Sequence, residues 1–304
     1  MAGNGQPRPV GLIGFPVRHS ASPALHQAAF RALGLDWVYL LMEVEPALLG
    51  DAVRGLRALS FAGANVTIPH KRAVMAFLDE LAPEAALTGA VNTICIEGLR
   101  LVGHNTDVGG FARAVNAAGI DLRGARVLVL GAGGAARAAA AACRQGGCAW
   151  VGVASRRREQ AEELSREIAG VQALPLEAAA VGRLLGGIDL LVNATPLGMQ
   201  GAGSGRSLVE LAPPDGLPED GAVMDMVYRP PETPLLAAAR QAGRRAIPGA
   251  GMLLFQGALA FELWTGLAAP VETMAEALAR ELGVDPSSAG LPRPQGKPDH
   301  PRNR

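Results

Sequence analysis

Lysine is nearly absent from this chain. Of its 28 basic residues 26 are arginine, and lysine occurs only at Lys71 and Lys297. Arginine cannot give up its proton near neutral pH, so only those two positions offer a basic side chain of this kind that can. Cysteine is also scarce. Cys95, Cys143 and Cys148 are odd in number and form no CxxC pair, which argues against a disulfide framework or a zinc site. No uninterrupted apolar run reaches the ~20 residues of a membrane span. The longest candidate, residues 132–143, is alanine-rich and carries Arg137. Residues 1–9 are polar and lack the apolar core of a signal peptide, so a cytoplasmic location is expected. Neither sign of charge is in excess, with 28 acidic groups against 28 basic ones, and this argues against a nucleic-acid partner.

What is present is a globular chain with a substantial core. Its 49% hydrophobic content is too high for a disordered polymer, and 304 residues suggest two domains. Short aliphatic runs alternate with longer helical patterns, the rhythm of an α/β protein with a parallel sheet. Strands are expected at 10–14, 37–43 and 64–67, with a hairpin of 91–97 and 99–103 around Gly98. Helices are expected from Ser22-Pro23, which reads as an N-cap followed by proline at the first helical position, to about Gly34, over 46–59, and opening at Pro69. A second series begins near Asp107, with strands at 126–130, 150–154, 189–193 and 222–226, helices at 108–118, 159–169, 252–264 and 271–282, and a further helix that follows the run 131–136 to about Gln145. From Asp285 onward the chain is rich in proline, glycine and polar residues and reads as a disordered tail.

The pattern Gly131-x-Gly133-x-x-Ala136 follows a strand and opens a helix, the context that makes a glycine fingerprint meaningful. Gly131 permits a tight turn, Gly133 lets backbone approach a pyrophosphate, and Ala136 allows close helix–strand packing. The helix N-terminus supplies free N–H groups and a positive dipole. An NAD site would place an acidic residue after the second strand, but this chain has Ser155, Arg156, Arg157 and Arg158 there. Arginine pairs bidentately with a 2′-phosphate, so NADP is the expected cofactor.

The first third carries small polar residues near strand ends: Ser20, Ser22, Asn65, Thr67, Lys71, Asn92, Thr93, Asn105, Thr106 and Asp107. Singly, each is ordinary turn or cap chemistry. As a set they suit a small ligand with several hydroxyls. Ser20 and Ser22, at a helix start, can hold a carboxylate without an arginine. His19 and His26 have no metal-site partners and read as local hydrogen-bonding or packing residues. Lys71, placed in the first turn of the helix expected at Pro69, would be tuned by the dipole and by a carboxylate, with Asp107 the natural partner. Such a lysine can act as general acid and base.

These residues stand in runs that resemble the shikimate dehydrogenase family, from about Val10 to Leu282. The runs are GFPVRHSASPALH at 14–26, GANVTIPHK at 63–71, GAVNT at 89–93, GHNTD at 103–107, GAGGA at 131–135, NATPLGM at 193–199, DMVY at 225–228 with TPL at 233–235, and GAGMLLFQ at 249–256. The resemblance implies an N-terminal α/β substrate domain over 1–106, completed by helices within 250–284. A doubly wound, NADP-binding Rossmann domain would span 107–249, with a crevice between the two and residues 285–304 as the tail. It implies reversible reduction of 3-dehydroshikimate to shikimate with NADPH, a step of chorismate and aromatic amino-acid biosynthesis. Ser20 and Ser22 would hold the substrate carboxylate. Asn65, Thr67, Asn92, Asp107 and Gln256 would hold hydroxyls, with Tyr228 at the crevice, and Lys71 would handle the proton beside Asp107. Gly131, Ala132, Gly133, Gly134, Ala135, Ser155, Arg156, Arg157, Met226 and Gly249 would contact the cofactor. The family often has Asn-Arg-Thr where this chain has Ser-Arg-Arg at 155–157. A quinate or aminoshikimate dehydrogenase is the near alternative, and a non-catalytic NADP-binding regulator the distant one. A proton-transfer pair speaks against the regulator. Monomer and homodimer both stay open.

Overall fold

The structure is a computed structural model that describes residues 6–199 and 208–292. Two six-stranded sheets organise it. The first contains β1 (Arg8–Gly14), β2 (Trp37–Glu43), β3 (Gly63–Val66), β4 (Glu80–Leu81), β5 (Thr93–Glu97) and β6 (Arg100–His104) in the order β2-β1-β3-β5-β6-β4. β1 runs parallel to β2 and β3, whereas β5 is antiparallel to both β3 and β6. The second sheet contains β7 (Arg126–Leu130), β8 (Trp150–Ser155), β9 (Val171–Pro175), β10 (Leu190–Asn193), β11 (Ala222–Asp225) and β12 (Arg245–Pro248) in the order β12-β11-β10-β7-β8-β9. All its pairings are parallel. That order is the doubly wound Rossmann arrangement, whose crevice opens where the winding reverses, between β7 and β10.

The strand sequences explain the layers. Val127, Leu128, Val129 and Leu130 are all fully buried, because helices cover both faces of a parallel sheet and each side chain meets one. On one face lie Phe111, Val115, Ala138, Ala142 and Leu164 from helices Thr106–Ala117, Gly134–Gln145 and Arg158–Glu167. On the other lie Val181, Leu211 and Ala239 from helices Ala178–Leu185, Leu208–Leu211 and Pro234–Gln241. Helix Ala250–Thr265 is apolar nearly all round, as a buried helix must be. It packs with helices Ser22–Ala32 and Val271–Leu282 against β1 through Leu25, Phe30, Leu254, Phe261 and Leu278. Among the described residues, no helix is long and apolar enough to cross a membrane.

Two sequence expectations about these elements need correction. No helix opens at Pro69: residues 69–72 form turns, and only a short 3-10 segment, Ala73–Phe77, comes after them. The tail does not begin at Asp285, because residues 285–291 fold back as turns, closed by the Leu291 N–H to Pro286 carbonyl bond. Ala289 and Leu291 are buried in the same cluster as Leu254 and Met274, which seats the segment against the helices. Residues 293–304, with Lys297, lie outside the described residues. Helices Pro83–Thr88, Ala178–Leu185, Leu208–Leu211 and Pro234–Gln241 lie outside the expected elements, although proline at the start of the first and last is a legible signal.

His26 is 0% exposed and stacks on Tyr39 at 4.5 Å between ring centroids. Neither ring nitrogen has a hydrogen-bond partner, so it is a packing residue, and burial pulls its pKa down to about 3. The folded chain keeps His26 neutral, while the unfolded chain protonates it near ~6.5. The unfolded state therefore binds one more proton below that value, and stability falls as pH drops towards 3. Between pH 7 and pH 5 the wild type should lose about 2 kcal/mol more than His26→Leu in urea unfolding. Equal losses in the two proteins would refute the buried neutral imidazole.

Candidate active site

The polar residues of the first third converge at the C-terminal ends of β1 and β3, beside β5 and the start of helix Thr106–Ala117. Asn105 caps that helix by accepting from the Asp107 N–H at 3.2 Å, which places Asp107 in the first turn. The Lys71 ammonium lies 2.5 Å from Asp107 Oδ2. Asn92 holds the other carboxylate oxygen, donating from Nδ2 to Asp107 Oδ1 at 2.8 Å. The same Nδ2 lies 3.3 Å from Gln256 Oε1, which brings in helix Ala250–Thr265. Asn92 Oδ1 in turn accepts from the Thr106 N–H at 2.7 Å and from the Thr93 hydroxyl at 3.0 Å. Asn92 thus has a partner in each role, as a buried amide must.

The network continues towards the helix start at Ser22. Asn65 donates to Thr93 Oγ1 at 3.0 Å and accepts from the Tyr39 hydroxyl at 2.8 Å. Ser22 bonds the same Tyr39 oxygen, and burial pushes that phenol above its ordinary pKa. Ser20 bonds Ser22 at 3.1 Å through their hydroxyls and also bonds the Tyr228 phenol. Ser22 is not the N-cap that Ser22-Pro23 suggested. It is the first helical residue, and its N–H donates to Ser20 Oγ at 3.2 Å. Thr67 is fixed by its N–H to the Ile13 carbonyl at 2.8 Å and is half-buried at the end of β3. Ser20, Ser22, Asn65, Asn92, Asp107, Lys71, Tyr228 and Gln256 therefore form one connected polar surface.

Sequence reading missed Tyr39. The signal was available: tyrosine is as scarce as lysine here, with two in the chain, and both bond the Ser20–Ser22 pair.

The glycine-rich turn sits at the switch point of the second sheet. Gly131 has φ +112°, and a Cβ there would stand 3.0 Å from the Ala194 carbonyl oxygen, so both conformation and space require glycine. Ala132 is buried beneath the loop, while Gly133 is exposed with nothing within 4 Å of where a Cβ would be. That gap, at a helix start with no side-chain cap, is a cradle for an anionic group on free N–H donors. Gly134 has a different neighbour, because a Cβ there would lie 3.0 Å from Lys71 Cδ. The loop and the lysine therefore touch, and half-buried Ala135 stands in the same helical turn. Ser155 ends β8, and Arg156 and Arg157 beyond it are exposed, with no ion pair among the described residues. Met226 and Gly249 are neighbours: a Cβ on Gly249 would stand 2.5 Å from the Met226 carbonyl oxygen. Asp225, just before Met226, is fully buried, and burial raises its pKa against bonds from Thr233, Val227 and Asn193. The donor set and the open glycine turn fit a phosphate-bearing dinucleotide.

A Rossmann sheet with a phosphate cradle, beside a polar cluster that holds a lysine–aspartate pair, defines a class of dinucleotide-binding α/β proteins. Comparison with known proteins narrows the class. Residues 12–94 match the family described as shikimate dehydrogenase substrate binding domain, 113–198 the shikimate / quinate 5-dehydrogenase family, and 249–279 the shikimate 5'-dehydrogenase C-terminal domain. A shikimate dehydrogenase (NADP(+)) of Methanopyrus kandleri is 48% identical over 279 residues, covering 90% of this chain and 95% of its own. A solved shikimate dehydrogenase in complex with NADP+ superposes with a TM-score of 0.84 at 38% identity, covering 91% of this chain and 96% of its own. The shikimate 5-dehydrogenase of Thermus thermophilus, solved with NADP(H) and shikimate, gives 0.81 at 40% identity, covering 90% of this chain and 100% of its own. The chain belongs to the shikimate dehydrogenase family.

Replacing Asn92 with alanine strips the Thr106 N–H and Asp107 Oδ1 of a partner in a buried setting. Asn92→Ala should cost about 2–4 kcal/mol in urea unfolding. A cost under about 1 kcal/mol would show that Asn92 does not organise the site.

Proposed function

We propose that this protein catalyses the NADP-dependent, reversible interconversion of 3-dehydroshikimate and shikimate, a step of chorismate and aromatic amino-acid biosynthesis. The observation that carries the reading is the Lys71–Asp107 pair, 2.5 Å apart, with the Lys71 stem against Gly134 of the glycine loop. A proton donor so placed stands where the two sheets' ligands would meet. The family's named members and the NADP complexes among its solved structures support the cofactor.

The work is divided among the chain's own residues. Ser20 and Ser22 receive the substrate carboxylate, with Tyr39 and Tyr228 fixing their hydroxyls. Asn65, Thr67, Asn92, Asp107 and Gln256 orient the substrate hydroxyls, each already held by a neighbour, so little ordering entropy remains to be lost on binding. Bound NADPH supplies the hydride. Lys71 Nζ donates the proton to the carbonyl oxygen as it becomes an alkoxide, and takes it back in the oxidative direction. Asp107 keeps the ammonium aimed and stabilises its charge. Gly131, Ala132, Gly133, Gly134 and Ala135 receive the pyrophosphate, Ser155, Arg156 and Arg157 the adenosine 2′-phosphate end, and Met226 with Gly249 the far end of the cofactor. Residues 1–106 with helices within 250–284 form the substrate half, and 107–249 the cofactor half. The partners are thus small molecules, with neither membrane nor nucleic acid, in the cytoplasm; the buried, unpaired state of Cys95, Cys143 and Cys148 accords with that compartment. Monomer and homodimer both accommodate the site, since every residue in it comes from one chain.

The test is an absorbance assay at the NADPH band, offering shikimate and quinate each with NADP and with NAD. Shikimate with NADP should be fastest, and a faster quinate rate would transfer the reading to quinate. Lys71→Met should lower kcat by about 10²–10⁴-fold while NADP binding stays near wild type. Turnover near wild type would remove Lys71 from the proton step. Arg156→Ala should raise the KM for NADP by about ten- to a hundredfold and leave that for NAD nearly unchanged. Equal changes for both would refute the 2′-phosphate assignment.

A further inference from the structure

Arg72 comes directly after Lys71 in sequence, but its side chain leaves the first sheet's half of the molecule. It reaches helix Arg158–Glu167 in the other half and grips Glu163 with both arms, Nη1 to Oε2 at 3.2 Å and Nη2 to Oε1 at 2.9 Å. Glu167 Oε1 lies 3.8 Å from the same guanidinium. The hydrogen bonds from Arg72, and then its charge, hold the Glu163 carboxyl below the ordinary carboxylate range. Arg137, from the helix that the glycine loop opens, backs both carboxylates. It pairs with Glu167 and lies 3.7 Å from Glu163. It is 1% exposed, and it also donates to the Thr88 carbonyl at 3.2 Å in the first half.

Two arginines and two glutamates therefore cross between the halves directly beside Lys71. An isolated surface pair would contribute little, but this one is bidentate, networked and anchored on a buried arginine. Its location matters more than its strength. The Lys71 carbonyl accepts from the Val91 N–H at 2.8 Å, which pins the backbone on the substrate side. Its side chain passes Gly134 and ends on Asp107. Arg72 is the neighbouring residue that ties this stretch to the cofactor side.

We propose that Arg72 is a positioning residue for Lys71: its fork on Glu163 sets how Lys71 lies against the glycine loop, so the proton step depends on contact between the two halves. The inference rests on the reading of Lys71 as proton donor. A merely structural strap would add stability and leave Lys71 where it is.

The scarcity of lysine supplies a readout that needs no substrate. With Lys71 and Lys297 the only lysines, acylation by an amine-reactive reagent can be followed at each by peptide mass spectrometry, Lys297 serving as internal reference. Arg72→Ala and Glu163→Gln should each speed Lys71 labelling about fivefold with Lys297 unchanged, and lower kcat by a similar factor at constant KM for shikimate. The double variant should be no worse than the worse single one, because both remove the same contact. The proposal is overturned if Lys71 labelling stays at the wild-type rate in variants that keep the wild-type circular dichroism, or if the two effects multiply. Glu163→Gln, nearly isosteric, keeps the test open should Arg72→Ala fail to fold. If the wild type does not turn over shikimate, the functional reading fails, but the labelling arm still decides whether Arg72 positions Lys71.

Discussion

Everything at the crevice depends on holding the Asp107 carboxylate, 5% exposed, in one orientation. A buried carboxylate is costly unless its oxygens are all satisfied, and here each has a different partner. Asn92 takes Oδ1 and Lys71 takes Oδ2, while Asn105 caps the helix that carries the residue. The single amide of Asn92 links Thr93, Thr106, Asp107 and Gln256, so β5, helix Thr106–Ala117 and helix Ala250–Thr265 share one anchoring point. The lysine receives its direction from that arrangement.

The second constraint is close approach. Gly131 lies at the switch point because no other residue accepts its φ or the nearby Ala194 carbonyl, and Gly133 leaves an open cradle. Gly134 is bare for the sake of the neighbouring half, since the Lys71 stem lies against it. The two halves also meet through arginine. Arg72 and Arg137 bridge on one side, and on another Arg229, next to Tyr228, reaches Glu281 at 3.2 Å. Arginine suits such bridges because its fork binds carboxylates and carbonyls at once and stays charged. The chain's preference for arginine over lysine thus coincides with these fixed charges, whereas the cation beside Asp107 is a lysine.

Much of this was legible in sequence, and the failures have physical causes. β2, β7 and helix Val271–Leu282 fall on their expected residues, because aliphatic runs and heptad-like spacing report burial directly. Pro69 misled because proline opens turns as readily as helices, and the residues after it decide between the two. Residues 285–291 misled because composition cannot reveal that Ala289 and Leu291 find a cleft between helices. The sequence marks the Ser20–Ser22 pair as a site, but Ser22's place inside the helix and its bond to Tyr39 come from packing.

By itself the sequence determined the α/β rhythm, the glycine turn after β7 and the short set of residues able to do proton chemistry, since these rest on local backbone limits and side-chain identity. Only the tertiary structure decided that Lys71 meets Asp107, 36 residues away, and that Gln256, 164 residues from Asn92, joins them. It also decided that Arg72 looks across to Glu163, 91 residues on. Pairings at such separations are set by how sheets and helices pack: the sequence puts Asp107 forward as a partner for Lys71, but the bond itself, like that of Arg72 to Glu163, exists only in the folded chain.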